Sequence, residues 1–280
     1  MSSIITLTTD FGYDDAYVAA LKGAILSTNP EANIIDISHS IEPQNILQAA
    51  FMLGIAYRHF PKHTIHVAIV DPGVGSERQG VIVKTPSSIL VAPDNGILSY
   101  IIDDLFLVEN RSLTEHTQGL RELVFKSGLE AVAITDPRFW RHPVSPTFHG
   151  RDIFAPVAAG LSLGISLYEF GEKIKSLHVL SIPKPTVDPD GNLIGLILHI
   201  DHFGTLITNI KNNELPGKDV LIEVAGHRIQ GISDYYAQKE GILAISGSSG
   251  YLEVSLRDGS AYDFLGTAVG DEIKVISAIE

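Results

Sequence analysis

The sequence contains no cysteine. That absence removes disulfides, thiolate zinc cages, iron–sulfur clusters and cysteine nucleophiles together. Positive charge is also scarce: Lys and Arg number 20 against 33 Asp and Glu, a formal net charge of −13. A nucleic-acid surface needs a basic stripe, so nucleic acid is not an expected partner. The acidic excess favours a neutral or cationic small ligand. No run approaches the ~18 apolar residues of a membrane span. The opening MSSIITLTTD lacks the basic stretch and long apolar core of a signal peptide. A cytoplasmic protein with no membrane partner is therefore expected. Charged residues make up only 19% of the 280 positions and hydrophobic ones 45%, which suits one large or two medium folded cores.

Apolar patterning then gives the order of elements. IITLTT (4–9) reads as a short buried strand ending on Asp10. Val18, Leu21 and Ile25 follow at helical spacing, with Asp14 and Asp15 suited to the first turn and Pro30 closing the helix. ANIIDIS (32–38) is a second strand, 44–61 a second helix stopped by Pro61, and TIHVAIV (64–70) a third strand. This β-α-β-α-β order implies a mostly parallel sheet with helices packed on it. Residues 80–96 read as a hairpin, and 151–164 as a helix whose first turn starts late because of Pro156. SIPKPTVDPDG (181–191) has the composition of a linker. After it come short β-type runs with turn signals between them, as in a small antiparallel barrel. The expected organisation is an α/β domain over 1–180, a linker over 181–191 and a β-barrel domain over 192–280.

Two dense stretches carry candidate chemistry. In VDPGVGSER (70–78) a strand ends on Asp71 and loops through Gly73 and Gly75 to Arg78. Ligands of open α/β sheets bind beyond the carboxyl ends of the strands, where Asp10 and Asp71 both stand. Each could instead only cap a turn. A phosphate cradle wants Lys and Ser/Thr directly after the last glycine; Ser76 and Glu77 follow here, beside Asp71. Arg78 is either a surface residue or folds back onto Asp71. In SPTFHGRD (145–152) His149 lies just before a helix, flanked by Gly150 and Arg151. A lone histidine is often structural, and its neighbours argue for more. A metal site is not expected: in a strand His199 and Asp201 share a face while His202 points away, and Pro61 separates His59 from His63. SGSSGYLEV (246–254) is a hairpin turn or a nest of amides and hydroxyls that grips a carboxylate.

Taken in order, TTDFGYDDAYV, VDPGVGSER, APDNG, TFHGRDIFAP, IDHFGTLITNI and SGSSGYLEV resemble the S-adenosylmethionine hydroxide adenosyltransferases, hydrolase relatives of the fluorinating and chlorinating enzymes. The resemblance runs over nearly the whole chain. It implies an N-terminal α/β domain and a smaller C-terminal β-barrel. It also implies homotrimers whose sites lie between the N-domain of one subunit and the C-domain of its neighbour. Hydrolysis of S-adenosylmethionine (SAM) to adenosine and methionine is the implied activity, with no cofactor. By this resemblance Asp71, Arg78 and His149 activate water and Asp10 grips the ribose. Asp14, Ser248 and Ser249 hold the methionine end, while Asp201 and Arg257 lie near methionine and adenine and Tyr236 stacks. Many relatives carry Asn where Thr205 stands; a hydroxyl offers adenine one bond where an amide offers two. Halogenating members have Tyr in place of Asp71 and Ser in place of Gly150, so both residues here point to water as nucleophile. A halogenase and a non-catalytic SAM- or adenosine-binding regulator are the competing expectations.

Overall fold

A strand buried on both faces reads as a near-continuous apolar run whose few polar residues need partners, whereas one on a wetted sheet alternates. The segment Thr64–Ile69 is of the first kind, buried throughout. Ile65, Val67 and Ile69 enter one core and Ala68, with the following Val70, enters another. That alternation puts helices on both faces of one sheet. A computed structural model describes residues 3–105, 120–124 and 129–277, and the backbone of 115–116. The chain divides into two compact units, Met1–Ile182 and Pro183–Glu280.

In the first unit the elements are β1 (Ile4–Thr9), α1 (Tyr17–Thr28), β2 (Asn33–Ser38), α2 (Ile46–Ala56) and β3 (Thr64–Ile69). Then come β4 (Gly80–Lys84), β5 (Ser88–Pro93), α3 (Ser99–Asp104), β6 (Glu115–His116), β7 (Leu120–Val124), β8 (Glu130–Ile134), α4 (Ala155–Ser162), β9 (Gly171–Lys173) and β10 (Ser176–Leu180). The main sheet has the order β2-β1-β3-β5-β4-β8-β9. Its β2, β1, β3 and β5 are parallel, and the β4, β8 and β9 side is antiparallel. Leu21 and Ile25 of α1 and Val157 and Ala158 of α4 pack on one face. Ala49 and Leu53 of α2 and Ile101 of α3 pack on the other.

Two local expectations are corrected. Asp14 and Asp15 precede α1 and no acid lies in its first turn, because the chain spends 13–16 in bends before helix begins. The segment 151–164 opens with a π-helical turn at Gly150–Phe154 before α4. Pro156 has no N–H to donate and sits at the start of α4, where none is required. Asn45 caps α2 by accepting the Gln48 N–H at 2.9 Å.

The second unit contains β11 (Thr186–Val187), β12 (Leu193–Ile200), β13 (Leu206–Lys211), β14 (Val220–Val224), β15 (His227–Gln230) and β16 (Ile232–Ser233). It continues with β17 (Ile242–Ser246), β18 (Tyr251–Leu256), α5 (Ala261–Leu265) and β19 (Glu272–Ser277). The order β15-β14-β19-β12-β13-β18-β17-β16 curls into a nearly closed, mostly antiparallel barrel-like sheet. Only β16 and β17 pair in parallel among the described strands of this unit. Ile197, Leu206, Ile222, Leu252, Val254 and Ile273 fill its core.

Candidate active site

β1 and β3 are adjacent and parallel, with Thr9 beside Ile69. Asp10 and Asp71 therefore leave the same edge of the sheet, at the carboxyl ends where ligands of such folds bind. One oxygen of Asp10 accepts the Gln44 N–H at 2.8 Å. Before Asp71, the Val70 carbonyl accepts the side-chain amide of buried Asn95 at 2.8 Å, which fixes the strand end. The chain then turns twice: Val74 N–H donates to the Asp71 carbonyl and Ser76 N–H to the Gly73 carbonyl. Gly75 has φ +79°, and a Cβ there would stand 2.5 Å from the Pro146 carbonyl oxygen. A side chain is thus excluded twice, by backbone conformation and by the loop packed against it.

That turn folds Arg78 back onto Asp71. Nε donates to Oδ1 at 2.8 Å and Nη2 donates to Oδ2, a two-point fork. Nη2 also lies 3.1 Å from His149 Nδ1. The guanidinium packs over the Phe154 ring, 5.2 Å from its centroid. The side chains of Arg78 and Asp71 are only 12% and 6% exposed. Removing one partner would leave an uncompensated buried charge on the other.

His149 is brought in by the loop before α4. Buried Asp152 closes that loop: it accepts the Ser145 N–H at 2.9 Å and both arms of Arg151 at 2.7 and 2.8 Å. Burial and then the nearby Arg78 charge hold the His149 imidazole below its usual range, against weaker pulls from Asp71 and Asp152. A neutral imidazole whose Nδ1 faces a donor carries its proton on Nε2. Phe11, Tyr17 and Phe148 form an aromatic wall beside it, with centroids 5.4–6.1 Å apart. Gly150 sits beneath, where a Cβ would meet Phe11 at 3.3 Å and Phe148 at 3.4 Å. Asp14 is exposed on the approach to α1.

The second unit gathers other residues. Asp201 accepts the N–H groups of Phe203 at 2.9 Å and Thr205 at 2.8 Å, which shapes the turn between β12 and β13. Thr205 is buried and its hydroxyl accepts from Ser255 at 3.1 Å. Ser249 donates to Glu253 at 2.8 Å, and Tyr236 donates to the other oxygen of Glu253 at 3.2 Å. Ser248 is exposed on the same turn. Arg257 turns elsewhere, to Glu240 and Asp258, and donates its backbone N–H to Gly241. Among the described residues no three His, Asp or Glu converge as a metal cage.

Sequence reasoning passed over Glu253, Asp152 and the aromatic wall. Glu253 had a signal: it is an acid between Leu252 and Val254 in an apolar run. Asp152 and Phe148 lay inside a quoted motif, but the partners of Phe148, Phe11 and Tyr17, come from far earlier in the chain.

Comparison with known proteins bears on both units. The model of the SAM hydroxide adenosyltransferase N-terminal domain matches residues 5–171, and that of the C-terminal domain matches residues 195–274. The chain is 34% identical to the (R)-S-adenosyl-L-methionine hydrolase of Methanocaldococcus jannaschii over 98% of this chain and 95% of that one. It is 31% identical to the enzyme of the same name from Thermus thermophilus over 96% and 97%. The fluorinase of Actinopolyspora mzabensis is more distant, 27% identical over 78% of this chain and 74% of that one. An uncharacterized conserved protein from Thermotoga maritima superposes with a TM-score of 0.84 at 32% identity, covering 97% and 99% of the two chains.

Proposed function

The chain belongs to the SAM hydroxide adenosyltransferase family and is a SAM-hydrolysing enzyme, and we propose that Asp71, Arg78 and His149 are its catalytic groups. The products are adenosine and methionine. The observation that carries the assignment is the continuous contact Asp71–Arg78–His149 at the carboxyl edge of the sheet.

Water oxygen bonds to the ribose C5′ as the C5′–S bond breaks. The electron pair goes to sulfur, and methionine leaves as a neutral thioether that needs no general acid. The water proton is the difficulty, since bulk water has a pKa of about 15.7. Both Asp71 oxygens accept from Arg78, so Asp71 orients the water and takes up its proton only partially before release to solvent. Arg78, and His149 through its Nε2–H, stabilise the developing hydroxide character. Attack of hydroxide-like oxygen on a sulfonium cancels charge, which a dry site favours over bulk water.

Asp10 grips the ribose. Asp14, Ser248, Ser249 and Asp201 serve the methionine end, and Thr205, Tyr236 and Arg257 lie near adenine or methionine. The substrate epimer is the (R)-sulfonium named for the relatives. No cofactor takes part. The enzyme works in the cytoplasm as a homotrimer with active sites at subunit interfaces; no helix among the described residues is long and apolar enough to cross a membrane.

Incubation with SAM and chloride, with chromatography of the nucleosides, tests the activity. Adenosine alone is expected. Chlorinated nucleoside would make the enzyme a halogenase, and no product would make it a binding protein. Light scattering is expected to give the mass of three chains; a fully active monomer would overturn the trimer.

A further inference from the structure

In β18, Leu252 and Val254 enter the barrel core, and Glu253 between them is also buried, at 5% exposure. A buried carboxylate is costly unless donors surround it. Glu253 has the Ser249 hydroxyl at 2.8 Å, the Tyr236 hydroxyl at 3.2 Å and the Ser249 backbone N–H. Its carboxylate fills the space above Gly247, where a Cβ would stand 1.8 Å from Oε1. Asn212 holds the turn from the other side: its backbone N–H donates to the Gly250 carbonyl at 2.9 Å and its amide to the Gly247 carbonyl at 3.0 Å. One acid therefore joins β18, the 247–250 turn and the turn at 236–238.

This arrangement decides what Ser249 can offer. A hydroxyl has a single proton. Ser249 gives it to Glu253, so toward a ligand its oxygen can only accept. A substrate carboxylate needs donors and a substrate ammonium needs acceptors. We propose that Glu253 is a positioning residue that fixes the Ser249 hydroxyl as an acceptor for the α-ammonium of the substrate's amino-acid arm. The proposal deepens the reading above, since it rests on Ser249 lying at the methionine end.

The test uses thioethers that carry no sulfonium and so do not turn over: S-adenosylhomocysteine, its decarboxylated form, and 5′-methylthioadenosine, which lacks the amino-acid arm. Their affinities for the parent and for Glu253→Gln are measured by calorimetry. Glu253→Gln is expected to weaken S-adenosylhomocysteine and its decarboxylated form alike by about tenfold, the scale of a hydrogen bond to a charged group. 5′-Methylthioadenosine should bind as before. Tyr236→Phe keeps the ring, removes one donor to Glu253 and should show the same selective pattern at about twofold to threefold. It serves if Glu253→Gln does not fold. Equal loss for all three ligands would make Glu253 merely structural. Loss for S-adenosylhomocysteine but not its decarboxylated form would mean that the turn reads the carboxylate. Unchanged affinities would also overturn the proposal. Because hydrolysis is not measured, these outcomes stand apart from whether SAM is cleaved.

Discussion

Arg78 Nη2 faces His149 Nδ1 at 3.1 Å. A guanidinium has only donors, so this contact requires His149 to be unprotonated at Nδ1. Burial and the Arg78 charge both oppose imidazolium, which lowers the folded pKa below 6.5. Hydrolysis should therefore stay flat from neutral pH to below 6.5, then fall as pH drops through the depressed His149 value. The pH dependence of kcat/KM checks this. A rate that rises on acidification would show that the imidazolium is the active form.

Asp71→Asn should cripple turnover while leaving nucleoside binding intact. The amide keeps the shape but offers an N–H where the water proton needs an acceptor, and it deprives Arg78 of its anion. Positioned proton acceptance contributes about 10²–10⁴-fold, so kcat should fall at least 100-fold. Adenosine affinity should hold, because the ribose is assigned to Asp10. Arg78→Lys should also lose activity, since a point charge cannot reach Asp71 by two arms and His149 together. Single-turnover adenosine release beside adenosine Kd separates the two effects.

The order of the first unit was legible because β1 and β3 are short runs rich in Ile, Leu, Val and Thr with no charged residue, and Pro30 and Pro61 punctuate the helices. Asp10 and Asp71 were legible as strand-end acids. Other features depend on contacts that one sequence does not display. Nothing local in 150–154 distinguishes a π-helical turn from an α-helical one. Thr205 is buried and its hydroxyl accepts from Ser255, fifty positions later, a contact that leaves its own proton free to donate. Arg257 is drawn to Glu240 across a hairpin. Glu253 showed in the sequence only as an acid inside an apolar run, a pattern that ordinarily marks a solvated strand face, and only its three donors make its burial tolerable.

Gly75→Ala tests how tightly the two catalytic loops are joined. The methyl would meet the Pro146 carbonyl at 2.5 Å, and φ +79° is unfavourable for alanine. Relief must come from moving the Asp71–Arg78 turn away from the loop that carries His149. The variant should lose about 1–3 kcal/mol of stability and lose kcat more than it raises KM. Urea unfolding and steady-state kinetics check both. A variant with parent stability and kcat would show that the loops slide freely.

Acid should unfold the protein partly through a residue outside the site. His66 lies in β3 with no exposed surface. Its Nδ1 is 2.7 Å from the Thr6 hydroxyl, and Tyr57 and Phe60 meet its ring edge to face. Burial pushes its pKa down to about 4. The unfolded chain protonates near 6.5, so between these values it binds a proton that the folded chain refuses. The stabilisation is fully present above about pH 6.5 and is lost as pH falls toward 4, with nothing further lost below. A gap of about 2.5 pH units corresponds to at most about 3.5 kcal/mol. Buried His39, also lowered by burial, adds to the loss with the same sign. His66→Asn keeps a polar partner for Thr6 and does not titrate. It should be less stable than the parent at pH 7, because ring contacts are lost, yet lose about 2–3 kcal/mol less between pH 7 and pH 4. Urea midpoints at the two pH values measure the difference. Equal acid sensitivity in parent and variant would mean that His66 is already protonated in the folded protein.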